Sequence, residues 1–245
     1  MTGQLGGLPG LPSAYDWPKW EGHGPLSFVA SIDCAGLPTA AGDIDLPEAG
    51  TLLGFYFDGQ LDDDEALVFA EDRESWARAR VLYVAAGEEV VEHGTPAEVA
   101  LYPVVPLTAR LEMTAAEPWH PRIRDAFTAG ARLGYRYNHP VCSQELLAAM
   151  WEFDDEVRHQ IGRHAHSVQN PVGIEVAEAA LIGEGSWDDP RLSEEAGDSV
   201  LFAQFDSEDA VDMMWGDAGA LYWLIRPEDL AERRFERAMF TWQCS

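Results

Sequence analysis

Short apolar runs, each broken off by polar or Gly-bearing sequence, dominate both ends of this chain. Residues 26–33 and 51–57 form one pair of runs, and residues 200–206 and 220–225 form another. In both pairs an apolar run closes on an aspartate, a polar connection containing Gly follows, and a second, aromatic run comes next. Runs of this length between turn residues predict strands. Their recurrence predicts an internal duplication, two similar strand units packed into one β-rich body. Residues 66–69 and 81–84 read as further strands. Residues 99–111, interrupted by Pro103 and Pro106, read as an interrupted or edge strand.

The opening, dense in Gly and Pro up to Trp17-Pro18, is excluded from regular helix. Its Leu8, Leu11, Tyr15 and Trp17 predict an extended arm lying on the body. Helices belong to the middle. Ile123, Phe127 and Ala131 share one face of a helix over 121–133. Ser143 is an N-cap for a helix running to Phe153, with Leu146, Leu147, Met150 and Trp151 on its inner face. Residues 162–170 read as loop, 173–182 fit either helix or strand, and 186–198 read as a polar, acidic loop. Pro227 opens a short helix with acids early and arginines late, as the helix dipole prefers. Residues 235–244 alternate as a last strand. The predicted class is α+β, mainly β: one antiparallel, roll-like domain over 1–245 with a few inserted helices. The repeats are expected to supply opposite ends of its sheet system.

Composition supports a packed core, since 47% of the 245 residues are apolar and 9 Trp and 10 Phe are present. No apolar run has the length of a membrane span, and the opening lacks the charged and apolar regions of a signal peptide. The expectation is a cytoplasmic protein with no membrane partner. Charge is lopsided: 43 Asp and Glu face 16 Lys and Arg, for a formal net charge of −27, and Lys19 is the sole lysine. A polyanion repels phosphate backbones, which argues against nucleic acid and favours a basic protein partner. Cys34, Cys142 and Cys244 are far apart and have no zinc spacing, as befits thiols in a reducing compartment.

Candidate chemistry is sparse. Trp215-Gly216-Asp217-Ala218-Gly219 reads structurally as a tight turn, with positive φ at Gly216 and Gly219, a capping Asp217 and a core-filling Trp215. Functionally, Trp215 and Asp217 are an aromatic platform beside a carboxylate. Asp33 and Asp206 end equivalent strands and face each other if a repeat axis relates them; they are either turn caps or an acid–base pair. His159, His164 and His166, with Asp154 or Asp155, are the residue types of a metal site, but their spacing matches no known motif. His159 and Gln169 fit better as loop anchors. Residues 62–65 are a solvated acidic turn without calcium-loop spacing. There is no nucleophile elbow, phosphate loop or dinucleotide fingerprint, so no cofactor is expected.

The closing block is specific. Met214-Trp-Gly-Asp-Ala-Gly219, Leu221-Tyr-Trp, Arg226-Pro-Glu-Asp-Leu230, Arg234-Phe235 and Gln243-Cys244 resemble the YwqG-like family, bacterial proteins of unknown function. Gly6-Gly-Leu-Pro with Trp17-Pro18, Pro25-Leu-Ser-Phe-Val-Ala, and His159-Gln-Ile-Gly with Val168-Gln169 agree with three other blocks. The stretch Gly162-Arg-His-Ala-His166 departs from the family pattern. The resemblance implies a β-rich roll and assigns no catalytic residue; some members' toxin–antitoxin neighbourhoods make an immunity role one reading. Two functions follow. The favoured one is a non-enzymatic binding protein whose acidic surface engages a basic protein. The alternative is a small-molecule binder or hydrolase between the repeats, built on Asp33, Asp206, Trp215 and Asp217 with His159.

Overall fold

The computed structural model describes residues 1–38, 44–58, 73–116, 120, 123, 143–153, 159–181 and 189–244. The strand expected at 66–69, the acidic turn at 62–65, nearly all of the helix at 121–133, Cys142, Asp154 and Asp155 lie outside the described residues. Strands in chain order are β1 (Gly3–Leu5), β2 (Gly10–Pro12), β3 (Lys19–Trp20), β4 (Gly24–Pro25), β5 (Ser27–Asp33), β6 (Thr51–Tyr56) and β7 (Ala79–Val84). They continue with β8 (Val90–Glu92), β9 (Val105–Leu107), β10 (Gln160–Ile161), β11 (Val200–Asp206), β12 (Ala220–Ile225) and β13 (Met239–Gln243). Helices are α1 (Gln144–Phe153), α2 (Val172–Leu181), α3 (Pro190–Gly197) and α4 (Pro227–Ala231). The fold is α+β, mainly β, built from antiparallel sheets. Among the described residues, no helix is long and apolar enough to cross a membrane.

Two sheets carry the architecture, one ordered β7-β6-β5-β1-β9 and the other β10-β11-β12-β13. Their ladders repeat rung for rung. Ser27 pairs with Tyr56 and Asp33 with Thr51; Val200 pairs with Ile225 and Asp206 with Ala220. Both ladders slip at the same rung, between Phe28 and Ala30 and between Leu201 and Ala203, which leaves Val29 and Phe202 as the extra residues of matching bulges. Both side chains are buried in one shared cluster.

The likeness extends beyond the apolar runs. Gln4 and Leu5 pair with Ser31 and Ala30, and Gln160 and Ile161 pair with Gln204 and Ala203 at the equivalent rungs. Each short strand then enters two successive left-handed residues, Gly6 (φ 60°) and Gly7 (φ 75°), or Gly162 (φ 78°) and Arg163 (φ 63°). The duplicated unit is therefore four strands, β1-β5-β6-β7 matching β10-β11-β12-β13, with β9 added at one edge. Each copy forms its own open sheet, which corrects the expectation that the repeats form the two ends of one sheet system. The physical reason is apolar area on both: the inner faces bury each other. Tyr56 meets Trp215 and Phe240 with ring centroids 5.5 Å and 5.4 Å apart, and Tyr83 meets Phe235 at 5.5 Å.

Local differences from the sequence expectations have local causes. Residues 172–181 are helix, with Val172, Val176, Ile174 and Ala177 buried. Much of the stretch read as acidic loop is α3, because Asp189 accepts a hydrogen bond from the Arg191 N–H (2.9 Å) and Pro190 occupies the first turn. Ser143 does cap α1, its Oγ accepting from the Leu146 N–H at 3.2 Å, although Leu146 itself is exposed. β9 is an edge strand, and Pro106 sits within it without a donor to waste. The opening arm lies on the body: Leu11 is fully buried and the Trp17 indole donates to the Leu26 carbonyl at 2.8 Å.

Candidate functional site

The residues singled out for chemistry are each held within their own turn or core. Asp33 is exposed, and its Oδ1 accepts from the Ala35 N–H (3.1 Å), capping a single helical turn. Asp206 accepts from the Gln204 side-chain amide at 2.8 Å. Trp215 is 1% exposed, edge-on to Tyr56 and Tyr102, so it fills the core between the two sheets and offers no open platform. Asp217 is exposed on the turn above it. Ser207 fastens this turn, its Oγ accepting from the Trp215 N–H and donating to the Gly219 carbonyl, both at 2.9 Å. Left-handed backbone falls at Gly216 (φ 64°) and Ala218 (φ 52°). Gly219, expected to share it, is required for a different reason: a Cβ there would stand 2.0 Å from the Gln243 carbonyl oxygen.

His159 and Gln169 flank a loop that the second sheet pins through buried polar side chains. Gln243 Oε1 accepts from the Val168 and Gln169 N–H groups at 2.8 Å and 3.0 Å, and its amide donates to the Asn170 carbonyl at 2.7 Å. Tyr222 donates to the His166 carbonyl at 2.8 Å, and Gln204 Oε1 accepts from the His166 N–H at 3.0 Å. Glu175 on α2 accepts from Thr241 at 2.9 Å, and burial holds its carboxyl above the usual range against the pull of these hydrogen bonds. Gln169 thus joins through its backbone, while its side chain is exposed. His159 lies near Phe205, and burial lowers its pKa more than Glu208, 3.8 Å away, raises it. Among the described residues no group of three His, Cys, Asp or Glu side chains is gathered as a metal site requires.

What the sequence reading missed is a surface. Among the described residues β8 pairs with β2 alone, and both of its valines are exposed, Val90 at 45% and Val91 at 48%, on opposite faces of this two-stranded ribbon. Glu88, Glu89 and Glu92 flank them in sequence, all exposed, and no cation pairs with these three among the described residues. A Cβ on Gly10 would touch Val90, and one on Gly7 would strike Val104, which is 58% exposed. Gly7 and Gly10 are three residues apart, so these valines border a segment at most about 11 Å long. Leu101 and Met113 are exposed on the same stretch of chain. The signal was present in the sequence as two adjacent β-branched residues between glutamates, too short to read as an amphipathic strand.

The Tyr102 hydroxyl, at the seam between the sheets, donates to Asp58. Burial first, and the neighbouring Asp58 second, push the Tyr102 and Tyr56 phenols above their ordinary values, so both stay protonated. The seam is a packed core.

No curated protein matches the chain. A family described as a domain of unknown function, DUF1963, matches residues 3–244, from β1 through β13 and so across both four-stranded copies. The chain belongs to the DUF1963 family, and the duplicated sheet pair is what that single family match spans.

Proposed function

We propose that this chain is a binding protein that acts without covalent chemistry, engaging a basic protein through the acidic, valine-bearing face around β8. The observation that carries this reading is Val90 and Val91 standing exposed among Glu88, Glu89 and Glu92, with no cation of the chain paired to those carboxylates among the described residues. Exposed valines flanked by like charges supply an apolar contact, and the carboxylates select a partner of opposite sign. The net charge of −27 extends the attraction beyond the contact and speeds encounter. An immunity-like neutralisation of a basic toxin is the form of binding that the YwqG-like resemblance of the closing block favours.

The test is capture of tagged protein from lysate of its own organism, run in parallel with a Glu88→Gln/Glu89→Gln/Glu92→Gln variant and with Val91→Ser. A stoichiometric basic protein retained by the wild type and lost from both variants supports the reading. A partner held equally by all three, or one of acidic charge, overturns it.

A further inference from the structure

A cleft lies where the two copies meet. The short helical turn Arg73–Arg78 of the first copy packs on β13 of the second, and the turn Phe235–Arg237 of the second packs on β7 of the first. Beside this reciprocal contact, the cleft has a volume of about 790 Å³. Arg73, Arg80, Arg226, Arg234 and Arg237 line it, five of the chain's 16 cationic residues. Five carboxylates line it too, so the cleft is formally neutral in a chain that carries −27. That balance is a local relief from the negative charge of the rest of the surface.

The pairing inside the cleft leaves three arginines without a full ion pair, although Glu228 and Glu236 also line it without a cation among the described residues. Arg226 is committed to Glu195, and Arg234 to Asp229 (2.7 Å) and Glu232. Among the described residues Arg237 has only a share of the same buried Asp229, at 3.4 Å, and its side chain is 61% exposed. Arg73 lies over the Trp76 ring, 5.5 Å from its centroid, and Arg80 donates to the Ala79 carbonyl at 3.0 Å. Neither Arg73 nor Arg80 meets a carboxylate among the described residues. The duplication supplies an internal comparison. Arg78 ends the first copy's turn one residue before β7, as Arg237 ends the second copy's turn two residues before β13. Yet Arg78 is 5% exposed and sits 4.4 Å over the Trp20 ring. One copy absorbs its arginine into packing, and the other leaves it at the cleft.

We propose that this cleft binds a small dianion, a phosphate ester or a dicarboxylate, held by Arg73, Arg80 and Arg237 with Trp76 as its flat wall. Guanidinium groups present paired N–H donors that match either anion bidentately, and bonds to charged acceptors are the strong ones. The volume lies within the range of small-molecule sites. This site is separate from the β8 face, and it replaces the Asp33, Asp206, Trp215 and Asp217 set as the location of a ligand between the repeats.

Isothermal titration at low ionic strength and pH 8, where both probes are dianions, tests it, with inorganic phosphate as one probe and malonate as the other. The expected result is one-site binding of at least one probe with a dissociation constant below about 1 mM, and which probe binds tells phosphate from carboxylate. Arg73→Gln/Arg80→Gln weakens that binding by about tenfold or more, since each lost charge-assisted bond is worth a substantial fraction of a decade or above. Arg73→Gln alone, at an exposed position, gives a smaller loss, and thermal melting checks that the variant is folded as the wild type is. Arg110→Gln, which breaks the exposed Arg110–Glu112 pair, leaves affinity unchanged. Failure of both probes to bind, or equal affinity in wild type and double variant, overturns the proposal.

Discussion

Gln243→Val replaces a pinning side chain by the residue that the first copy places at the same rung. Gln243 faces Ala220 on β12 as Val84 faces Thr51 on β6, and both are buried. The glutamine is 1% exposed and makes three hydrogen bonds to the backbone of residues 168–170, at 2.8, 3.0 and 2.7 Å. At about 1 kcal/mol net each, their loss costs about 3 kcal/mol. Two terms reduce that figure. Gln169 and Asn170 are exposed and gain water when released, and the valine returns roughly 1 kcal/mol of apolar burial. The net expectation is a destabilisation of about 1–3 kcal/mol in urea unfolding. Native-state hydrogen exchange adds a local readout: the Val168 and Gln169 amides lose protection while those of β6 keep theirs. A change below about 0.5 kcal/mol, with exchange at Val168 and Gln169 unaltered, would refute the assignment of Gln243 as the loop's anchor.

Gly219→Ala forces a Cβ to within 2.0 Å of the Gln243 carbonyl oxygen and destabilises by more than about 2 kcal/mol in thermal or urea unfolding, whereas Ala218→Gly relieves a left-handed residue (φ 52°) and is neutral to stabilising by about 1 kcal/mol. Glu175 has its carboxyl raised by burial above the ordinary 4.5, so its favourable contribution is complete below that pH and is lost as pH rises through the folded-state value. Glu175→Gln therefore gains stability relative to wild type on going from pH 4 to pH 7, and a constant difference across that range contradicts the assignment. Cys34 is buried and its thiol is pushed up to about 11, first by burial and then by Asp33; native protein at pH 8 should alkylate there only at the rate of unfolding, and rapid labelling would show the thiol to be open.

Duplication was legible where apolar area is concentrated. The runs at 26–33, 51–57, 200–206 and 220–225 must bury a face, so their pattern survives in sequence and marks β5, β6, β11 and β12. β1 and β10 span three and two residues and carry no pattern of their own. Their equivalence rests on backbone: matching rungs and two consecutive left-handed residues, one of which is Gly7 in the first copy and Arg163 in the second. α3 had a legible start in Asp189-Pro190, masked by the acidic composition that follows. Buried Gln204 and Gln243 look like ordinary outward positions of a strand until the loop they hold is placed above them. The cleft was unreadable for another reason: Arg73 and Arg80 reach it from one copy and Arg226, Arg234 and Arg237 from the other, far apart in sequence. Only the docking of the two sheets brings them together.

The most direct measurement for the binding function is the salt dependence of affinity for the captured basic protein, wild type against Glu88→Gln/Glu89→Gln/Glu92→Gln. Engagement through the β8 face predicts affinity that falls steeply from low to physiological ionic strength in the wild type, with a weaker and flatter response in the variant. Equal affinities and equal slopes for the two proteins would contradict it.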